Sequence, residues 1–379
     1  MAEKTQVLLI AGSGGAGRTT VAAATGLAAS RRGQRTLVLS FDASRDLSGA
    51  FGVVAPTLAE ARGLPVRVED SLHLQELDVA SELKRRWSDG RGEVAALLGG
   101  GLEGVTAEEV ALTPGVEVLL ALLLLGEYSR ARTYDLIVID AGDALRFVGG
   151  ADSVGWYARR SRAPEQGARR ARPSRVDPEV LHAVSDKLTD VGALLRDPMV
   201  TRVRWVTTHD HRTEQCLRRA CSAFGLQGLA LDGVLLNRLA LVGEDAALAR
   251  HPAVENLQHL VGSIPVTGIA LQGRDIVGEE ALEAFATLLY RGEDPARLGS
   301  TPPGLGVGKQ AVDVYRLEVQ LPFARKEEVS LSRREAELVI QVGAFRRNVL
   351  LPRMVAPLAT AGASLEGDRL VVEFKKERV

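Results

Sequence analysis

A mixed α/β fold built on a parallel sheet, followed by a small all-β sandwich, is what this sequence predicts, on three observations. Apolar runs ending in glycine or a polar residue alternate with helical stretches over residues 6–290, as when strands are buried on both faces and separated by helices. A stretch rich in glycine and proline at 292–310 is followed by short segments that alternate apolar and polar residues, the pattern of half-buried strands. The length, 379 residues, is too great for one ordinary core and suits one large domain with one small one.

The first strand is "QVLLIAG" (6–12), a continuous apolar run that stops at glycine. "TTVAAATGLAASRRG" (19–33) follows with helical spacing and a glycine stop. "RTLVLSFD" (35–42), "LHLQELD" (72–78), "YDLIVIDAG" (134–142), "VRWVTTHD" (203–210) and "LDGVLLNRL" (231–239) are further strands. Helices are expected around "EQCLRRACSAFG" (214–225) and "EEALEAFATLLY" (279–290), the latter closing the large domain at about residue 298. Residues 299–311 are read as linker, from their glycine and proline content. Residues 312–379 are the sandwich, through "VYRLEVQLP", "EVSLSRRE", "ELVIQVG", "RRNVLLP", "ASLEGD" and "RLVVEF".

Composition excludes several classes. Basic and acidic side chains number 47 and 48, so no global bias points to nucleic acid or a membrane surface. The longest apolar run, "VLLALLLL" at 118–125, is far short of the ~20 residues that cross a bilayer, and the N-terminus runs into a strand without a signal-peptide pattern. A cytoplasmic protein is expected. The segment 158–175 carries seven arginines against one glutamate and is read as a mobile basic loop, solvated or in contact with an acidic partner. Cys216 and Cys221 are the two cysteines. Five apart on an expected helix they lie on different faces, which suits packing better than a metal clasp or a disulfide. "HDH" at 209–211 has the residue type for a metal, but alternate residues at a strand end with no acidic or cysteine cluster nearby in sequence are more often surface histidines, and are read so here.

Between the first strand and the first helix lies "GSGGAGRTT". Gly12, Gly17 and Thr19 keep the spacing G-x-x-x-x-G-K-[ST], with Arg18 where that pattern has lysine. The loop residues Gly12, Ser13, Gly14, Gly15, Ala16, Gly17, Arg18, Thr19 and Thr20 are the expected nucleotide-binding set. Glycines let several N–H groups point inward, and the positive end of the helix adds to their attraction for phosphate. A lysine there places a compact ammonium on the β- and γ-phosphates; arginine keeps the charge in a broad planar fork. Thr19, by its hydroxyl, and Asp140, an acidic residue ending an apolar strand, are the expected Mg²⁺ side of the site. The plain alternative is a tight strand-to-helix connection with no ligand.

Residues 5–298 resemble the ArsA-type ATPases, the family of the arsenite-pump and tail-anchored-protein targeting ATPases within the nitrogenase-iron-protein and MinD class of P-loop folds. "GSGGAGRTT" aligns without gaps with the family's GKGGVGKTT, Ser13 and Arg18 replacing its two lysines. The first of those lysines reaches the partner's nucleotide across a homodimer, a contact the resemblance implies is missing with Ser13. "SFDASRDLSGAFG" (40–52) is similar to the family's first switch and puts Asp42 where a carboxylate polarises the attacking water; a strand end with an acidic residue is the alternative. "TPGVEVLLAL" (113–122) and "YDLIVIDAGDALRFV" (134–148) resemble the stretches around the second switch, about three residues shorter here and without its PTGHT residues. Asn237, in "LDGVLLNRL", takes the position that reads the adenine edge in the family; otherwise it is an ordinary turn residue. "IPVTGIALQGRDIVGEEALEAFATLLYRGEDP" (264–295) resembles the family's closing segment.

From about Val312 the chain is similar to the α-crystallin-like domain at the end of some bacterial ArsA homologues, notably "YRLEVQLPFARKEEVSLSRREAELVIQVGAFRRNVLLP". That module implies interaction or packing, not catalysis. The expected protein binds Mg-ATP or ADP, hydrolyses ATP weakly or not at all, and acts as a dimeric switch, alone or with an ArsA-like paralogue, on a protein cargo. The alternatives are an active ATPase in which Arg18 replaces lysine, and a non-catalytic chaperone-like scaffold. Neither an arsenite cysteine set nor a methionine-rich groove for a membrane helix is present, the chain holding 2 Cys and 3 Met.

Overall fold

The structure is a computed structural model and describes residues 4–41, 46–53, 61–87, 104–142, 144–152, 178–240, 248, 250–297, 305–311 and 314–376. Asp42, the arginine-rich stretch 158–175 and residues 299–304 of the expected linker lie outside the described residues.

An eight-stranded, mostly parallel sheet has the order β3-β4-β2-β5-β1-β6-β7-β8, and the expected α/β architecture is the one found. The strands are β1 (Gln6–Gly12), β2 (Thr36–Ser40), β3 (Val66–Glu69), β4 (Leu72–Glu76), β5 (Leu136–Asp140), β6 (Thr201–Thr208), β7 (Leu231–Leu239) and β8 (Val266–Ala270). β2, β4, β5 and β1 run parallel to their neighbours, whereas β3 is an antiparallel edge strand on β4. β2 and β5 are buried at every position, which is why they read as unbroken apolar runs.

The labelled helices are α1 (Arg18–Ser30), α2 (Asp46–Phe51), α3 (Ala107–Ala111), α4 (Val116–Ala131), α5 (Pro178–Arg196), α6 (Thr213–Gln227), α7 (Pro252–Val261) and α8 (Glu279–Tyr290). Residues 79–87 and 144–152 are also helical. α4 carries the long leucine run and is apolar almost all round, with Leu120, Leu122 and Leu125 buried, as a helix inside a core must be. α1 presents Val21, Ala22, Ala23, Ala24 and Leu27 to the interior. Its C-terminal end is tied to α8: Arg31 pairs with Glu279 and Glu283, and with Glu69 at 3.1 Å, and the hydroxyls of Thr25 and Tyr290 share a hydrogen bond.

By its contacts the chain forms two compact units. The first comprises residues 1–195 and 272–297; the second comprises 196–271 and 298–379 and so takes β6–β8, α6 and α7 together with the small domain. In the second unit β7 pairs in parallel with β6 and β8.

The small domain is a two-sheet sandwich. One sheet has the order β14-β15-β10-β9 and the other β11-β12-β13, with β9 (Leu305–Ala311), β10 (Val314–Gln320), β11 (Val329–Arg334), β12 (Glu337–Val342), β13 (Phe345–Leu350), β14 (Ala359–Glu366) and β15 (Arg369–Lys375). Six of these match the expected segments. β9 corrects the linker reading, since residues 305–311 pair antiparallel with β10. Its residues are almost all exposed, and an edge strand needs only a backbone ladder, so glycines at 306 and 308 do not prevent it.

α6 is part of the sandwich core. Leu226 is fully buried in one cluster with Leu317, Ile340 and Phe374. Arg347 Nη1 donates to the Leu226 carbonyl at 2.8 Å and Gln227 Nε2 to the Arg346 carbonyl at 3.1 Å, so the sandwich satisfies a carbonyl that the end of a helix leaves open. The close approach depends on Gly225, where a Cβ would stand 2.3 Å from the Gln320 carbonyl oxygen.

Two outcomes follow for α6. In a helix interior Gly→Ala gains up to about 1 kcal/mol by propensity, but at Gly225 the clash is with backbone, and overpacking costs about 1–3 kcal/mol or more. Gly225→Ala is therefore expected to destabilise in urea titration, while Gly49→Ala in α2, with nothing near its Cβ, does not. Burial pushes the Cys221 thiol up to about 12 from an ordinary 9. A raised folded value means stability is full below about pH 9 and is lost as pH rises toward about 12; Cys221→Ala should flatten that alkaline limb, and in the native chain at pH 8 a thiol reagent should label half-buried Cys216 first.

Candidate functional site

The expected phosphate loop is a continuous piece of structure. β1 ends at Gly12, the chain turns through Ser13–Ala16, and α1 begins at Arg18. Gly15 has φ +71 and Gly17, the residue capping α1, has φ +91 and ψ +28, values that side chains with a Cβ rarely adopt. The turn is closed by Ala16 N–H donating to the Ser13 carbonyl at 3.3 Å, and the helix by Val21 N–H donating to Gly17 at 2.9 Å. Gly14 and Gly15 are exposed and Ala16 is buried, so the turn is anchored at its centre and open at its tip. The first turn of α1 contains no acidic residue and Gly17 offers no side-chain cap, leaving the positive helix end to an external anion.

Thr19 and Asp140 meet. Thr19 Oγ1 donates to Asp140 Oδ2 at 2.6 Å across 121 residues of sequence. Asp140 ends β5 and is 4% exposed; it comes to the same sheet edge as the loop because β1 and β5 are parallel and pair Ile10 with Asp140. The hydroxyl and the carboxyl are the oxygen donors that a hard divalent cation prefers. Thr20 lies one residue further along α1 and is half-buried.

The Arg18 guanidinium extends toward the chain leaving β5: its Nη1 lies 3.6 Å from where a Cβ on Gly142 would stand. Gly142 has φ +48 and begins the turn into the helical residues 144–152. In those residues Phe147 is fully buried, and its ring stacks on Phe41 at 5.2 Å and 17° between planes. Phe41 is the last described residue before Asp42. This stack was not expected from the sequence; each ring alone looks like an ordinary core residue.

Asn237 lies in the second unit, buried near the end of β7. Its Oδ1 accepts from the Arg238 N–H at 2.9 Å, and Arg238 has φ +60, at the irregularity in β7 between the Leu236–Gly268 and Leu239–Ala270 pairs, a bulge that the asparagine braces. His209 and His211 are exposed, His209 packing edge-on to His251 at 6.2 Å. Among the described residues no helix is long and apolar enough to cross a membrane.

A glycine turn between a strand and a helix, with a hydroxyl at the helix start bonded to an acidic residue at the end of the neighbouring parallel strand, defines a phosphate-binding α/β protein of the P-loop kind. The family model "Anion-transporting ATPase" (ArsA_ATPase) matches residues 5–291, and "HSP20-like domain found in ArsA" matches residues 312–374. The chain belongs to the ArsA anion-transporting ATPase family, with a C-terminal HSP20-like domain; that membership implies nucleotide binding. It is similar to "Putative arsenical pump-driving ATPase 1" of Aquifex aeolicus, 28% identical over 97% of this chain and 99% of the relative. It is also similar to "Putative arsenical pump-driving ATPase" of Chlorobaculum tepidum, 27% identical over 98% of this chain and 96% of the relative. An uncharacterized protein of Streptomyces coelicolor is 31% identical over 97% of each chain.

Thr19→Val removes the donor to Asp140 at nearly constant shape. Losing a hydrogen bond to an acidic side chain costs about 1–3 kcal/mol, so the unfolding free energy of the nucleotide-free protein, measured by chemical denaturation, should fall by that amount. Thr20→Val should change it by less than about 0.5 kcal/mol.

Proposed function

We propose that the chain binds Mg-ATP or Mg-ADP at residues 12–20, turns ATP over weakly or not at all, and acts as a nucleotide-dependent dimeric switch. The observation that carries this reading is the 2.6 Å contact of Thr19 with Asp140. It supports a metal side assembled next to a loop whose N–H groups are the phosphate side.

In this reading the bend at Gly15 and Gly17 turns the loop amides inward onto the phosphates, and Arg18 adds a positive charge beside them. Thr19 and Asp140 would hold Mg²⁺, which would supply positive charge to offset that of the phosphates. Asp42 orients water, and Asn237 reads the adenine edge. Weak turnover is supported by two residues. Arg18 brings a wide fork where a compact ammonium would contact both phosphates, and Ser13 has no charge to send across a dimer. The Phe41–Phe147 stack supports switching, because it ties the entry to the first switch to the helix that follows β5. Arsenite as cargo is disfavoured: Cys216 is half-buried and Cys221 buried, five residues apart on α6, so the two thiols do not converge on one ion.

Calorimetry of the full chain with Mg-ATP and Mg-ADP is expected to give saturable binding below millimolar ligand, abolished by Gly17→Val. Phosphate release should stay at background in the unaltered protein and in Arg18→Lys alone, and rise when Ser13→Lys is added. No heat at millimolar nucleotide overturns the reading. Substantial release by the unaltered chain, lost in Asp42→Asn, replaces it with the active-ATPase alternative.

A further inference from the structure

A second cavity, of about 480 Å³, lies wholly within the second unit and is lined by none of the loop residues nor by Asp140. It is framed by α6, the start of β7, the connection from α7 to β8, and two turns of the sandwich, at Pro322–Phe323 and at Asp368. Ligand pockets occupy about 300–1,000 Å³ and combine apolar walls with a few polar groups, and this one fits both criteria. Phe224, Leu229 and Leu231 are buried in its wall, and Ile264 and Val261 are half-buried.

Two features set it apart from a packing gap. Phe323, in the wall, is held with φ +64, a left-handed conformation that is unfavourable in a residue with a side chain and persists only where surroundings impose it. The Arg218 guanidinium sits over its ring at 5.0 Å, fixing the ring. The charge of the lining is also one-sided. Asp232 and Asp368 line the cavity, no lysine or arginine is among its described lining residues, and the one basic side chain there is the exposed His259. Asp232 is already matched by Arg204, through contacts of 3.2 and 2.7 Å. Asp368 is exposed in the β14–β15 turn, its carbonyl fixed by the Leu321 N–H at 2.7 Å. Burial keeps Cys221, also in the wall, as a neutral thiol.

We infer that this cavity binds a small hydrophobic amine, its apolar body against Phe224, Leu229, Leu231 and Ile264 and its cationic end beside Asp368. Two carboxylates against the single imidazole of His259 disfavour an anionic ligand, and a fully polar one forfeits the wall. The site is independent of the nucleotide reading, since it shares no residue with it.

Trp205 is a built-in reporter: its ring meets Phe224 edge-on at 5.8 Å. In a full chain with Trp87→Phe and Trp156→Phe, Trp205 fluorescence is titrated with n-alkylamines, n-alkanols and n-alkanoates below their aggregation concentrations. Saturable amine binding is expected, tightening about fourfold per methylene until the cavity is filled. Asp368→Asn should weaken amines about two- to fivefold and leave alkanols unchanged, and Val261→Phe, which narrows the cavity without adding a fluorophore, should weaken both. Alkanoates binding as tightly as amines, or amine affinity indifferent to chain length or to Asp368→Asn, overturns the proposal, as does undiminished binding in a folded Val261→Phe.

Discussion

The parallel pairing of β1 with β5 is the constraint on which the phosphate site rests. With Ile10 opposite Asp140, the two strands end at one edge of the sheet, and the chain leaving Gly12 returns as α1 to put Thr19 on Asp140. Strands buried on both faces carry no alternating pattern to set their register. Here the polar ends set it: a slip by one residue would draw the Asp140 carboxyl into an apolar interior without its hydroxyl donor, at a cost of several kcal/mol. Fold and site are therefore specified by the same residue.

The sandwich imposes a second constraint, on α6. A small domain joined by a glycine-rich stretch is free to swing unless something fastens it, and here the fastening is a dense set of contacts to the last turns of α6 from residues about 100 or more further along the chain. Gly225 admits the Gln320 carbonyl, Leu226 enters the sandwich core, Ser222 donates to the Pro322 carbonyl, and Arg347 closes the end of the helix. The helix and the two sheets therefore behave as one unit, and the turn at Pro322–Phe323 is held where it forms one wall of the 480 Å³ cavity.

Much of this was legible in the sequence, for physical reasons that also mark where legibility ends. Buried parallel strands announce themselves as apolar runs, so β1, β2, β4, β5, β6 and β7 were readable, and so was the strand-glycine-helix order around Gly12–Thr20. β3 and β9 were not: an edge strand with exposed charged or glycine residues has the composition of a loop, and only the partner strand reveals it. Of the site, the loop and the Thr19–Asp140 pair could be named because their spacing follows from backbone geometry. The Phe41–Phe147 stack and the cavity beside α6 could not, since both join residues from distant segments whose individual types are ordinary for a core. Asp42 lies outside the described residues, and Asn237 belongs to the second unit; the structure tests neither role.

Arg18 decides how the loop differs from one that carries lysine. An ammonium on a flexible stem can fold back over the turn and sit against phosphate oxygens as a point charge. The guanidinium is planar and wide, and in this chain its Nη1 comes within ordinary contact distance, 3.6 Å, of where a Cβ on Gly142 would stand; Gly142 itself has φ +48. A larger residue at 142 would press on the guanidinium and on the turn that leads to Phe147. The arginine thus lies between the loop and the start of the segment after β5, a position from which, in the proposed reading, its charge acts on phosphate at longer range. Retention of binding with loss of fast transfer is what such an exchange of a mobile contact for a structural one predicts, because phosphoryl transfer depends on close positioning of charge on the moving oxygens, whereas anion capture depends on the amides, which the substitution leaves in place.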